Sequence, residues 1–333
     1  MARAGATILG VEGLVLGADE AAFLREADPF GLILFSRNID TPEQVRRLTA
    51  DLRAALGRDA PILIDQEGGR VQRLRAPHWR EWLPPVDQMA RSRPGTAERS
   101  IWIRYRLIAA ELHALGLDAD CAPTCDIAGP ATHPFLMNRC FGTEAATVIP
   151  AARACAEGLL AGGVLPVMKH IPGHGRTTVD SHHDLPVASA PAAELAATDF
   201  APFRALADLP MGMTAHIVVP AYDGGAPATQ SPEMIRVIRE VIGFGGLLMT
   251  DDLGMQALAG SAHDRAARSI AAGCDLALHC NGSRTELAQT VAAAGRLSPE
   301  AAIRAEAALA RRRPPEPIDE GALMAELDGL LIR

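Results

Sequence analysis

Eight short apolar runs, spread along the chain and each closed by polar residues, constrain the fold more than any other feature of this sequence. They are ATILGVEGLVL from Ala6, GLILFS from Gly31, PILIDQ from Pro61, LDADCAP from Leu117, LPVMKH from Leu165, MGMTAH from Met211, GLLMTD from Gly246 and CDLALHC from Cys274. Most are continuous rather than alternating, which is the pattern of parallel strands covered on both faces. Helical stripes lie between them. Thr41 is placed to cap a helix with Pro42 at its first position and Gln44 at the capping-box position, while Val45, Leu48, Leu52 and Leu56 share one face and Gly57 ends it. Ser231 and Pro232 open a second, with Ile235, Ile238 and Ile242 on one face and Gly243 at its close. Strand alternating with helix eight times predicts an α/β chain folded as a single (β/α)8 TIM-type barrel, with a doubly wound open sheet as the alternative.

No Ser/Gly linker or shift of composition divides the 333 residues, and a hydrophobic content of 48% is ample for one large core. The stretch RRRPPEPIDE from Arg311 reads as a break. The expected organisation is therefore a barrel over residues 1–310 and, over 311–333, a break with a short helical tail packing on it. A net charge of −8 argues against nucleic acid or an anionic membrane as partner, because both demand a concentrated excess of Lys and Arg. The N-terminal MARAGATILGVEGLVLGADE has an apolar patch followed at once by acids, with no small-residue cleavage site, and reads as neither signal peptide nor transmembrane helix. Six cysteines without a CxxC pair fit reduced, mostly buried thiols in a cytoplasm.

In a barrel of this kind the site lies at the C-terminal ends of the strands. Here the apolar runs end in Arg37 and Asn38, Asp65 and Glu67, Asp126, Lys169 and His170, His216, Asp251 and Asp252, and Asn281, which a closed barrel would bring to one mouth. Any single one of them could equally be a turn former or helix cap. That plainer reading is weakest for Lys169 and His170, which continue the run LPVM directly.

The segment KHIPGHGRTTVDSHHDLP, from Lys169 to Pro186, packs four histidines, two acids, a lysine and an arginine among two prolines and two glycines. Proline and glycine rule out a long helix, so it reads as a structured loop, the usual place for a site. His170, His174, His182, His183 and Asp180 include ligand types suited to zinc, but no HExxH or paired-Cys spacing appears, and the expectation is no metal and no cofactor. Acid/base work is the alternative. In an extended loop Asp180 and His182 point to the same side, so the carboxylate can orient the imidazole and tune its proton affinity. A partner for such chemistry occurs in LLMTDDLGM, where Asp251 ends a buried strand and is placed for nucleophilic attack, while Asp252 is the better candidate for capping the next turn. A carboxylate nucleophile with a separate acid/base is the equipment of retaining glycoside hydrolysis.

DQEGGRVQRL at Asp65, KHIPGHG at Lys169, DSH at Asp180 and MTDDLGM at Met249, in that order and spanning most of the barrel, resemble the single-domain β-N-acetylglucosaminidases of glycoside hydrolase family 3. The resemblance implies a retaining exo-enzyme that removes terminal β-1,4-linked N-acetylglucosamine from peptidoglycan fragments, with an N-acetylglucosamine-containing muropeptide as its partner, in the cytoplasm. It implies Asp251 as nucleophile and His182, assisted by Asp180, as acid and then base. It also implies a sugar-binding set of Asp65, Arg73, Arg139, Lys169 and His170, carboxylate and guanidinium being the usual grips for hydroxyls. Glu67, Gly68 and Gly69 are expected to shape their loop, and His174 to hold the PGHG turn internally.

Two positions depart from the family pattern. Cys140 stands where serine is common, which alters the packing beside Arg139, and Arg176 follows PGHG where acidic or neutral residues are frequent, which bears on loop motion and acceptor preference. A neutral histidine base avoids a second negative charge near a glycosyl-enzyme and leaves room for phosphate as acceptor in place of water. The alternatives carried forward are a β-glucosidase or β-xylosidase, an N-acetylglucosaminide phosphorylase, a metal-dependent hydrolase and a catalytically silent sugar-binding barrel. No self-complementary apolar stripe is visible, so a monomer or weak dimer is expected.

Overall fold

A computed structural model describes residues 4–177 and 185–332. Its eight-stranded sheet is parallel throughout, made of β1 (Gly5–Gly10), β2 (Pro29–Leu34), β3 (Ile62–Ile64), β4 (Ala119–Asp120), β5 (Leu165–Ile171), β6 (Met211–Thr214), β7 (Leu247–Met249) and β8 (Ala277–His279). β1 pairs with both β2 and β8. The ring closes between β7 and the residue before β8, where Met249 bridges Leu276 and the Thr250 amide donates to the Leu276 carbonyl at 3.0 Å. The (β/α)8 barrel read from the sequence is therefore the fold. The run from Ala6 is shorter than its composition implied: the strand ends at Gly10, and the chain leaves the barrel in a loop where Leu14 and Val15 are exposed. The turn is held by Asn38, whose Nδ2 donates to the carbonyls of Val11 and Gly13.

Strand alternation sorts the core into two layers. Leu63 packs with Ile8, Ile33, Val167, Met211, Met213 and Leu278, while its neighbours Ile62 and Ile64 join the cluster shared with the helices. Local chemistry sets the helix ends. Thr41 Oγ1 accepts from the Gln44 amide at the start of Pro42–Leu56, and Gly57, at φ 65°, closes it in the left-handed conformation that glycine tolerates. Ser231 caps Pro232–Arg236, which runs on as a wider π-helical stretch, Val237–Ile242, and ends on Gly243. At the N-terminal face of the barrel, aspartates beside the strand starts receive arginines from the helices. Asp275 accepts from Arg239 and Arg304, both at 2.8 Å, and from the Leu248 amide at 2.9 Å.

The helix Glu320–Leu330 lies against Ala97–His113, with Leu327 buried and Arg99 paired to Glu326 at 2.7 Å. Among the described residues no helix is long and apolar enough to cross a membrane.

Candidate active site

The C-terminal ends of the strands surround a cavity of about 270 Å³ whose floor is apolar, formed by Ile33, Met213 and Leu278. Asp65 enters it from the end of β3. Directly after, Gln66–Gly68 turns back on Val71–Gln72 as a short antiparallel hairpin, which returns the chain to the cavity at Arg73. Arg104, buried beneath the hairpin, donates to the carbonyls of Glu67 and Leu83 and to Gln88 Oε1, so the loop rests on a fixed cation.

Lys169 and His170 lie just before β5 ends at Ile171, and both line the cavity; the peptide between them is cis. Lys169 Nζ sits between two carboxylates, 2.9 Å from Asp65 Oδ1 and 2.5 Å from Glu67 Oε1. Asp65 Oδ2 also accepts from Arg73 at 3.1 Å, and Glu67 receives Arg139 through Nε at 2.9 Å and Nη2 at 2.8 Å. Burial alone would raise both acids, but these cations outweigh it. They hold Asp65 well below the usual carboxylate range and Glu67 down to about 2. Against the desolvation that would lower it, the paired acids keep the Lys169 ammonium protonated. Asp65 keeps an exposed edge, whereas Glu67 is sealed off and does not reach the cavity. Glu67 thus braces the cations, in keeping with a loop-shaping role.

Opposite stands Asp251, after β7. Burial would push its pKa up, but the imidazoles of His170 and His216, the Asp252 amide and the Lys169 ammonium prevail and hold it below the ordinary value. The amide of Asp252 donates to Asp251 Oδ1 at 2.8 Å, which fixes the carboxylate. The Asp252 side chain accepts from the Gly254 and Cys280 amides, both at 2.9 Å, so it serves its neighbours' backbone as its position implied. An ionised carboxylate facing a wall of one carboxylate acceptor and several cationic donors is equipped to hold a polyol and attack an electrophilic carbon.

Not every strand-end polar residue turns inward. Asp65, Lys169, His170, Asp251, Asp252 and Asn281 line the cavity, but Arg37, Asn38, Glu67, Asp126 and His216 do not. The reason is that each of these is spent on structure. Arg37 reaches the Val11 and Cys280 carbonyls and Asn281, His216 bonds Thr229 and the Asp252 carbonyl, and Asp126 holds His170. Arg139 comes from the loop before the helix Ala145–Ala161 and is buried against Glu67 rather than paired at the surface. Asp180 and His182 lie outside the described residues, as do most members of the candidate zinc set; among the described residues no group of three or more His, Cys, Asp or Glu is arranged to hold a metal ion. Cys140 is buried and bonds the Leu136 carbonyl, and Arg176 is held by Asp199, Glu194 and Thr198.

Sequence reading passed over the aromatic lining. Phe35 has Arg37 and Arg73 over its ring at 5.1 and 5.2 Å, and Phe135 has Arg70 and Arg139 at 4.9 and 5.3 Å. Phe35 ends the run GLILF and was within reach of the strand-end argument; Phe135 lies in a short helix, Pro134–Met137, that no motif marks.

Residues 12–311 match the model of the glycosyl hydrolase family 3 N-terminal domain. A β-hexosaminidase of Alkalilimnicola ehrlichii is 38% identical over 287 residues, covering 83% of this chain and 81% of its own. One from Vibrio cholerae serotype O1 is 37% identical over 280 residues, 82% of either chain. Among solved structures, native NagZ from Neisseria gonorrhoeae superposes with a TM-score of 0.84 at 31% identity, covering 98% of this chain and 94% of that one.

Proposed function

The chain belongs to glycosyl hydrolase family 3 and is a glycoside hydrolase of the β-hexosaminidase type, and from that premise we propose that it is a retaining exo-β-N-acetylglucosaminidase acting on peptidoglycan fragments. In this reading Asp65, Arg73, Arg139, Lys169 and His170 bind the terminal sugar. Asp251 attacks its anomeric carbon while His182, oriented by Asp180, delivers a proton to the departing oxygen. The glycosyl-aspartate is then opened by water, from which His182 takes a proton, so the anomeric configuration is retained over two inversions. The observation that carries the proposal is the pairing of a fixed, ionised Asp251 with the charged wall of Asp65, Lys169 and Arg73 across one small cavity. No cofactor enters this chemistry.

Residues 1–310 act as the catalytic unit in this reading, with the tail over 311–333 as a brace. Six buried cysteines, all free thiols, suit a reducing cytoplasm. The enzyme works as a monomer or weak dimer.

The test is hydrolysis of an aryl β-N-acetylglucosaminide by the native chain, Asp251→Ala and His182→Ala, with the first-formed anomer read by NMR. Native turnover to the β-anomer, an inactive Asp251→Ala and a His182→Ala partly spared by the good leaving group support the assignment. An inert native chain, an α-anomer first product or an active Asp251→Ala would overturn it. The corresponding glucoside and a run in phosphate buffer separate the glucosidase and phosphorylase alternatives.

A further inference from the structure

Asp126 is wholly buried, does not line the cavity, and spends its two carboxylate oxygens on two residues of the same segment. Oδ2 lies 2.7 Å from His170 Nδ1, and Oδ1 accepts the backbone amide of His174 at 2.6 Å. On the far side of the imidazole, Arg139 Nη2 is 3.2 Å from His170 Nε2. A guanidinium has only donors, so Nε2 must offer its lone pair, and the ring proton must sit on Nδ1, where a carboxylate is present to receive it. The tautomer of His170 is thus set from both ends.

The same carboxylate grips the start of the turn that carries the chain on toward Asp180 and His182. That turn has further anchors: Thr132 Oγ1 donates to the Gly175 carbonyl, and the Thr177 hydroxyl meets His174 Nδ1 at 2.8 Å. Among these anchors Asp126 joins both His170 and His174, each of which lines the cavity.

We propose that Asp126 is a positioning residue for the glycosidase reaction, fixing Nε2 of His170 as the acceptor for the Arg139 guanidinium, and so the placing of both side chains against the substrate, while anchoring the base of the loop leading to Asp180. The proposal rests on the reading of His170 as a sugar contact and of the downstream pair as acid/base. Asparagine at this position keeps an oxygen for the His174 amide but presents N–H to His170 Nδ1. The ring proton would then move to Nε2, directly against the guanidinium of Arg139.

The experiment compares native enzyme, Asp126→Asn, Asp126→Ala and His170→Ala on aryl and alkyl β-N-acetylglucosaminides, alongside 15N NMR of histidine-labelled protein. In the native chain the His170 signals should report a proton on Nδ1 and a bare Nε2. Asp126→Asn should raise KM by about ten- to hundredfold, the usual weight of a charge-assisted hydrogen bond, with a smaller change in kcat. Asp126→Ala should add a fall in kcat that is steeper for the alkyl glycoside, together with faster hydrogen exchange at the His174 amide. A native His170 with its proton on Nε2 refutes the proposal without any variant having to fold. So does a folded Asp126→Asn whose KM stays within about twofold of native while His170→Ala raises it. If His170→Ala itself leaves KM unchanged, the sugar contact is misassigned and the positioning role falls with it.

Discussion

Replacing Glu67 by glutamine tests whether a residue that does not reach the cavity nonetheless holds its charged wall together. The carboxylate is 1% exposed and receives three charged donors, two from Arg139 at 2.9 and 2.8 Å and one from Lys169 at 2.5 Å. Glutamine is nearly the same size, but it offers a single oxygen and turns an NH2 group toward two cations. Lys169 retains Asp65, whereas the guanidinium of Arg139 is left buried without its anion. Removing one member of a buried pair costs about 3–5 kcal/mol. At about 2.1 cal/mol/K of unfolding entropy per residue, a chain of 333 residues carries about 0.7 kcal/mol/K, so the melting temperature should fall by about 4 to 7 °C. Because Arg139 and Lys169 both line the cavity, KM for an aryl β-N-acetylglucosaminide should rise about tenfold, with kcat affected less. Scanning calorimetry and initial rates read the two effects separately. Adding Arg139→Met should recover part of the melting temperature, since no buried guanidinium then lacks a partner, but none of the KM. A Glu67→Gln enzyme that melts within about 1 °C of native with unchanged KM would show that the buried pairing does not organise the site.

Two further effects arise from the same surroundings. Burial pushes the His174 pKa down to about 4, so the folded chain keeps this ring neutral while the unfolded chain protonates it near 6.5. Its stabilising effect is complete above pH 6.5 and is lost as the pH falls toward 4, by about 3 kcal/mol at most; urea melts from pH 7 to 4 should show a shallower decline for His174→Gln than for native. Gly68 adopts φ 97°, and a Cβ there would fall 1.9 Å from the Arg104 guanidinium and 2.9 Å from the Leu83 carbonyl and Trp82 Cβ. Gly68→Ala should therefore cost about 2–4 kcal/mol and loosen Arg104 from the Glu67 loop, seen as a lower denaturant midpoint and a raised KM, while a change under about 0.5 kcal/mol would contradict the crowding.

Much of the barrel was legible from the sequence because its signals are local. The continuous apolar runs, the Thr41 and Ser231 caps and the glycine stops at Gly57 and Gly243 each act within a few residues. Position at strand ends was enough to bring Asp65, Lys169, His170 and Asp251 to one cavity. The same argument assigned too many side chains to the mouth, since Arg37, Asn38, Asp126 and His216 carry the polar signal but are drawn away by backbone groups and neighbours arriving from other loops. It also overran β1, because the apolar composition from Val11 to Leu16 belongs to a loop tied down by Asn38. The role of the DSH segment is a matter for the kinetic test, Asp180 and His182 lying beyond the described residues.

By itself, then, the sequence determined the features that depend on spacing along the chain: alternating strands and helices, their caps, and the set of residues available at one end of the strands. Which of them share a proton or a charge was decided only by closure of the barrel. Lys169 finds Asp65 across 104 residues, Arg139 finds Glu67 across 72, and His170 finds Asp126 across 44. No periodicity encodes such partnerships. They arise because a parallel ring gathers the strand ends and their loops at one face regardless of the chain between them, and because a charge buried there must be met by whichever opposite charge or hydrogen-bonding group the nearby strand ends and loops provide.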